Sequence, residues 1–194
     1  IFPQKRRNEI IARLKQGVED ISVSRAGVSW GIPLPWDKKH TIYVWVDALI
    51  NYFSATQFLK GKKRFWPADV HIIGKDITWF HTVIWQALLI AAGIKLPKAI
   101  LSHGFFTIDG QKISKSLGNV ISPQQLVDRY GSADAVRYLL LSASQIGEDA
   151  DISFQRFDER YQSDLANGLG NLVQRVAKLC ELKNLVFSPN PSNP

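Results

Sequence analysis

The sequence predicts an α/β fold that gives way to an all-α one. Between residues 41 and 108, short β-branched and apolar runs alternate with helical patterns. The order strand, helix, strand, helix, strand marks a parallel sheet with crossover helices. After Pro123 only helical patterns remain, ending in one long amphipathic run that starts at Phe154.

Each element has its own signal. Residues 8–16 place Ile10, Ile11 and Leu14 at helical spacing, with Gly17 as a stop. Residues 41–46 are β-branched and aromatic, so they predict a strand that ends near Trp45 and runs into a helix over 48–59. Residues 70–73 predict the next strand, with Gly74, Lys75 and Asp76 as the turn after it. Residues 77–92 are helical, ended by Gly93 and then Pro97. Ile100 and Leu101 open a third strand, followed by a hairpin toward Ile108. Residues 123–130 and 133–144 predict two short helices, and 145–153 a polar link. From there Phe157, Tyr161, Leu165, Leu169, Leu172, Val173, Val176 and Leu179 recur at threes and fours. That spacing predicts one long helix with one face buried. The proline-rich tail, residues 188–194, predicts a linker.

A length of 194 residues accommodates one or two modest domains with a real core. The net charge of +7, from 24 basic against 17 acidic residues, suits a polyanionic partner. Basic density is highest at residues 5–7 and 60–64, which a solvated surface explains equally well. No apolar run reaches the ~18 residues that a membrane span needs. The single cysteine, Cys180, excludes an internal disulfide and a cysteine-rich zinc knuckle within these residues, and fits a reducing, cytoplasmic setting.

Open parallel sheets bind ligands beyond the carboxyl ends of their strands. Three groups fall there: Asp47, the Gly74-Lys75-Asp76 turn, and the segment D-G-Q-K-I-S-K-S-L-G-N at residues 109–119. In that segment Lys112, Ser114, Lys115 and Ser116 lie between Gly110 and Gly118, a small cationic loop able to close over a polyphosphate. A solvated basic turn is the alternative on these residues alone. Asp76 fits either a helix N-cap or an acceptor for ribose hydroxyls or an amino group. Trp45, Ala48, Leu49, Tyr52, Ile77 and His81 make an aromatic and aliphatic set that suits an unbranched thioether side chain, or simply a core. On the last helix Asn167, Asn171 and Arg175 recur every four residues, either an exposed polar face or planar donors for unpaired bases.

The K-I-S-K-S segment at 112–116 resembles the K-M-S-K-S region of class I aminoacyl-tRNA synthetases. W-G-I-P-L-P at 30–35, Y-V-W-V-D-A at 43–48 and I-G-K-D-I-T-W-F-H at 73–81 narrow the likeness to the methionyl branch of that family. Leucyl, isoleucyl, valyl and cysteinyl enzymes, or a non-catalytic tRNA-binding paralogue, are the alternatives. The resemblance implies the C-terminal half of a Rossmann-like catalytic domain over 1–122, connecting stem-contact helices over 123–153, and the start of a helical anticodon-binding domain from 154. The H-I-G-H motif of the family has no counterpart, since His103-Gly104 lacks the second histidine. This implies a fragment, inactive without the N-terminal half that would partner it. Further implied are ATP with Mg2+, methionine and tRNA(Met) as ligands, with no zinc and no membrane. Lys112, Ser114, Lys115 and Ser116 would be catalytic. Gly74, Asp76 and both lysines would hold ATP or the adenylate. Trp45, Ala48, Leu49, Tyr52, Ile77 and His81 would line the methionine pocket, and Asn171 and Arg175 would contact the anticodon.

Overall fold

The computed structural model describes residues 1–185, apart from the side chain of Lys115; the tail expected to be a linker lies outside the described residues. The chain forms two compact units. One comprises residues 1–105 with 146–148, and the other residues 106–145 with 149 onward.

The first unit opens with helix α1, Gln4–Lys15, which starts just after Pro3, earlier than expected, and stops at Gly17 with φ +103°. Strands β1 (Ser24–Ala26) and β2 (His40–Ile42) form an antiparallel pair. Helix α2, Val44–Phe58, follows at once. The expected strand over 41–46 is therefore cut short, and Trp45 sits in a helix. The β-branched composition there favours a strand by under about 1 kcal/mol per residue. A helix starting at Val44 places Trp45, Leu49 and Tyr52 on one face at i, i+4 and i+7, whereas a strand would send alternate side chains to opposite sides. Burying that face outweighs the local preference.

Strands β3 (Val70–Gly74) and β4 (Ala99–His103) pair in parallel, from Val70 opposite Ala99 to Gly74 opposite His103. The expected third parallel strand is absent from this sheet, because β2 pairs with β1 instead. Phe2 lies along β4, donating to the Ile100 carbonyl at 2.8 Å and accepting from Ser102 N–H at 2.8 Å. Between β3 and β4 the chain makes a tight turn at Lys75–Ile77, a wide helical turn at Phe80–Ile84 and helix α3, Trp85–Ala91. Leu49, Ile84, Trp85 and Leu89 form the unit's core, joined by Trp45, Tyr52 and Phe80.

The second unit begins with the hairpin β5 (Phe106–Ile108) and β6 (Gln111–Lys112). Asp109 (φ +51°) and Gly110 (φ +74°) make the two-residue turn, for which Asp-Gly is well suited. Helices α4 (Pro123–Tyr130) and α5 (Ala133–Ser142) follow. The expected polar link contains a strand, β7 (Ala150–Asp151), parallel to β5. Its Asp151 carboxylate accepts from Gly110 N–H at 3.1 Å, tying strand to hairpin turn. Helix α6, Phe154–Arg160, brings Phe157 into a core with Leu126, Tyr130, Val136, Leu139 and Ile152. Asp158 on α6 pairs with Arg129 and accepts from the Tyr130 hydroxyl at 2.8 Å.

The helical path continues through a widened stretch, Tyr161–Gly170, into α7, Asn171–Leu182. Glycines suit the wide turns: a Cβ on Gly168 would lie 3.2 Å from the Ser163 carbonyl, and one on Gly170 3.0 Å from that of Leu165. The long helix is present as expected, but its apolar face is not buried among the described residues. Leu169, Leu172, Val173, Val176 and Leu179 are each at least half exposed.

Candidate functional site

In the first unit the expected pocket residues converge on α2 and the segment before α3. Trp45 stacks on Phe80, with centroids 4.3 Å apart and planes 14° from parallel. His81 is 1% exposed, and its two ring nitrogens have different partners. Nδ1 lies 2.9 Å from the Ile77 carbonyl, which only accepts, so Nδ1 carries the proton. Nε2, 3.0 Å from the Tyr52 hydroxyl, is then the acceptor of that hydroxyl's proton. Burial holds the His81 pKa below the ordinary histidine value, only partly opposed by the Ile77 hydrogen bond, so the neutral tautomer persists. Tyr52, Ile77 and His81 thus form one chain of hydrogen bonds. Leu49, 1% exposed, belongs to the packed core rather than to an open surface. Ala48 shares helix α2 with Trp45, Leu49 and Tyr52.

At the carboxyl end of β3 the chain turns sharply. A Cβ on Gly74 would lie 2.8 Å from an Asp76 carboxylate oxygen, so glycine is what makes room for that carboxylate. No side chain caps the turn that follows, and Asp76 stays exposed in its first turn. The capping role considered for Asp76 is therefore not realised. Asp76 borders a cleft of about 820 Å³ with Trp79, Phe80 and Arg13, whose guanidinium lies 3.8 Å from the Trp79 ring centroid.

The lysine loop lies in the second unit. Lys112 ends β6 and is exposed, and Ser114 and Ser116 join hydroxyls at 2.7 Å. A tight helical turn over Lys115–Leu117 closes the loop, and Gly118 leaves it at φ +67°. Asn119 reaches back into it, with its amide oxygen 2.8 Å from Ser114 N–H and its amide nitrogen 3.0 Å from the Lys112 carbonyl. On α7, Asn171 and Arg175 line a groove of about 620 Å³ with Gln174, Lys178 and Leu179. Asn167 is not part of that lining, because the widened turns preceding Asn171 break the period of four. Among the described residues no group of three or more His, Cys, Asp or Glu side chains is placed to hold a metal ion, and no helix is long and apolar enough to cross a membrane.

The family model of tRNA synthetases class I (M) matches residues 2–177. The chain belongs to the class I tRNA synthetases. It is 48% identical over 197 residues to a protein named methionine–tRNA ligase from Caldanaerobacter subterraneus, a match covering 100% of this chain and 31% of that one. A methionine–tRNA ligase from Thermotoga maritima is 47% identical over 195 residues, with 99% and 31% covered. Among solved structures, Mycobacterium tuberculosis methionyl-tRNA synthetase in complex with methionyl-adenylate superposes with a TM-score of 0.82 at 44% identity, covering 99% of this chain and 38% of that one. This class I synthetase chain therefore spans about a third of the length of the relatives it matches.

Three residues of this synthetase chain escaped the sequence reading. Trp85, 2% exposed, donates its indole N–H to His71 Nε2 at 3.3 Å, and His71 packs on Tyr52 with centroids 4.6 Å apart. Trp85 follows His81 by four, which was a readable signal for a shared face. His71 is a lone polar residue in an apolar strand, and nothing in the pattern marks it. Asn119 stood at the end of the lysine segment, but a side chain reaching back across a loop has no sequence signature.

Proposed function

We propose that the chain is part of a methionine–tRNA ligase, which activates methionine with ATP and passes it to tRNA(Met). One observation carries the reading: the neutral His81 held between the Ile77 carbonyl and the Tyr52 hydroxyl beside the stacked Trp45 and Phe80. That arrangement offers aromatic surface to a polarizable thioether, and the Tyr52 hydroxyl, its proton committed to His81, keeps one acceptor fixed in orientation. A branched aliphatic substrate has less use for it. The relatives named methionine–tRNA ligase, and the neighbour solved with methionyl-adenylate, support the same substrate.

In this reading a methionine carboxylate oxygen attacks the α-phosphorus of ATP. The bond to the bridging oxygen breaks, and pyrophosphate leaves. The 3′-terminal adenosine of tRNA then takes the methionyl group, releasing AMP. Trp45, Ala48, Tyr52, Ile77 and His81 are assigned to methionine, with Leu49 backing them from the core. Gly74 and Asp76 are assigned to the nucleotide, Asp76 as acceptor for ribose hydroxyls or the substrate amino group. Lys112 and Lys115 are assigned to charge developing on the leaving pyrophosphate, and Ser114 and Ser116 to donation or to holding the loop. Magnesium accompanies ATP as counter-ion to its phosphates, and no residue of this chain is assigned to hold it. Asn171 and Arg175 are assigned to the anticodon, as part of a helical domain beginning at residue 154. Residues 1–122 are assigned to the catalytic fold and 123–153 to the connection. The setting is the cytoplasm.

The test is amino-acid-dependent ATP–pyrophosphate exchange by the full-length protein, comparing methionine, leucine, isoleucine, valine and cysteine. Exchange with methionine alone is expected. Lys115→Ala should lower it by roughly a hundredfold, the scale of losing one transition-state donor, while leaving the methionine KM in place. Exchange driven by another amino acid, or by none, refutes the proposal.

A further inference from the structure

The geometry points to Asn119 as a positioning residue that fixes the lysine loop, and we infer that pyrophosphate departure depends on it. The inference rests on the reading above. Asn119 Oδ1 accepts from Ser114 N–H at 2.8 Å, and Nδ2 donates to the Lys112 carbonyl at 3.0 Å. These are the two backbone atoms that a residue of a parallel strand would engage opposite Ile113. The carboxamide therefore pairs with the edge of β6 that faces away from β5: Ile108 and Gln111, flanking the two-residue turn, are the hydrogen-bonded pair, and Thr107 and Lys112 are the next, non-bonded one.

Three further observations fix this arrangement. Ile113, between the two bonded residues, packs against the unit's buried core, so the backbone is held on both sides. The Ser114–Ser116 hydroxyl contact and the Leu117 N–H to Ser114 carbonyl bond, at 3.1 Å, close the next turn. Gly118, at φ +67°, reverses the chain so that Asn119 can face back toward Lys112. A flexible lysine at the end of an unsupported strand would spread its charge over many positions. A lysine on a fixed backbone delivers it to one, which is what stabilising a departing anion requires. Asn119 touches neither substrate nor reacting atoms in this account; it acts through Lys112 and Ser114.

Two variants of the full-length protein test it. Asn119→Ala removes both bonds, and Asn119→Asp keeps the shape and the acceptor but loses the donor to the Lys112 carbonyl. Each should lower the kcat of methionine-dependent ATP–pyrophosphate exchange by about tenfold, the scale of one or two lost hydrogen bonds. The methionine KM and the thermal midpoint should stay as in the wild type, a split that general unfolding would not give. Tryptic cleavage after Lys112 in the native protein should quicken by about the same factor, since it tracks local opening. Exchange or cleavage left at the wild-type rate overturns the inference, as does an equal shift in methionine KM. If the wild type itself shows no methionine-dependent exchange, the functional reading falls instead, and the cleavage rates alone then decide whether Asn119 holds the loop.

Discussion

At the scale of single residues, the aromatic cluster around Tyr52 depends on two histidines staying neutral. His71 accepts from the Trp85 indole and His81 from the Tyr52 hydroxyl, and an imidazolium can do neither. Burial lowers the pKa of both below 6.5, and for His71 the neighbouring His81 adds to the effect. The sign of the pH dependence follows. The unfolded chain takes up these protons near 6.5, before the folded one does, so folding stability is complete above that pH and falls as the pH drops toward the folded values. Carboxylates such as Asp158, held low chiefly by Arg129, act only at more acid pH, which leaves the window from about 7.5 to 5.5 to the histidines. His71→Gln keeps an acceptor for the indole and removes one titrating group. Its urea midpoint should therefore vary less across that window than the wild type's, and parallel profiles for the two proteins would refute the assignment. The cluster's main contacts were readable because Trp45, Leu49 and Tyr52 share a helical spacing. The His81 tautomer was not, because it depends on the Ile77 carbonyl, whose direction no side-chain pattern encodes.

At the scale of elements, local chemistry was legible where the signals are local. Helix α4 begins and ends where its sequence says: Ser122 and Gln125 bond each other's backbone N–H groups at 3.2 and 2.8 Å, Pro123 occupies the first turn, and Gly131 leaves at φ +69°. Ser122→Ala should cost about 1 kcal/mol in a denaturation experiment, and Ser122→Asp, which restores an acceptor, should recover most of it. A loss confined to the Asp variant would reverse this account. Residues 43–46 were misread because a β-branched run carries the same composition whether it pairs or coils, and packing against the distant Trp85 and Leu89 favours the coil. The strand β7 was missed for a related reason. Two residues are too short for any periodic signal, and they pair only because β5 lies alongside. The long helix was legible in extent, but its widened stretch was not, since Gly168 and Gly170 in a helical pattern read as weak points rather than as room for a wider turn.

At the scale of the whole molecule, the two units carry separate cores, and tryptophan reports on only one of them. All six tryptophans, at positions 30, 36, 45, 66, 79 and 85, precede Phe106 and so lie in the first unit. The second unit holds the helices α4 to α7 and has no tryptophan, while α1, α2 and α3 lie in the first. The sequence pattern changes elsewhere, at Pro123, with alternating elements before it and mainly helices after it. It did not place the boundary at residue 105, because the β5–β6 hairpin gains its partner β7 only through folding. Leu139 is fully buried in the second core, against Leu126, Val136 and Phe157. Replacing it with alanine should cost about 3 kcal/mol, from lost transfer energy and the cavity left behind. If each core is its own cooperative unit, Leu139→Ala splits the helical circular dichroism transition, to which both units contribute, into an earlier and an unshifted part, and leaves the tryptophan-fluorescence midpoint where it was. A Leu89→Ala change in the first core should do the reverse, moving the fluorescence transition first, since Leu89 packs in the same cluster as Trp85 and Trp45. Equal shifts of both signals by either variant would mean that the chain unfolds as a single unit, and that the two cores stabilise one another despite their separate packing.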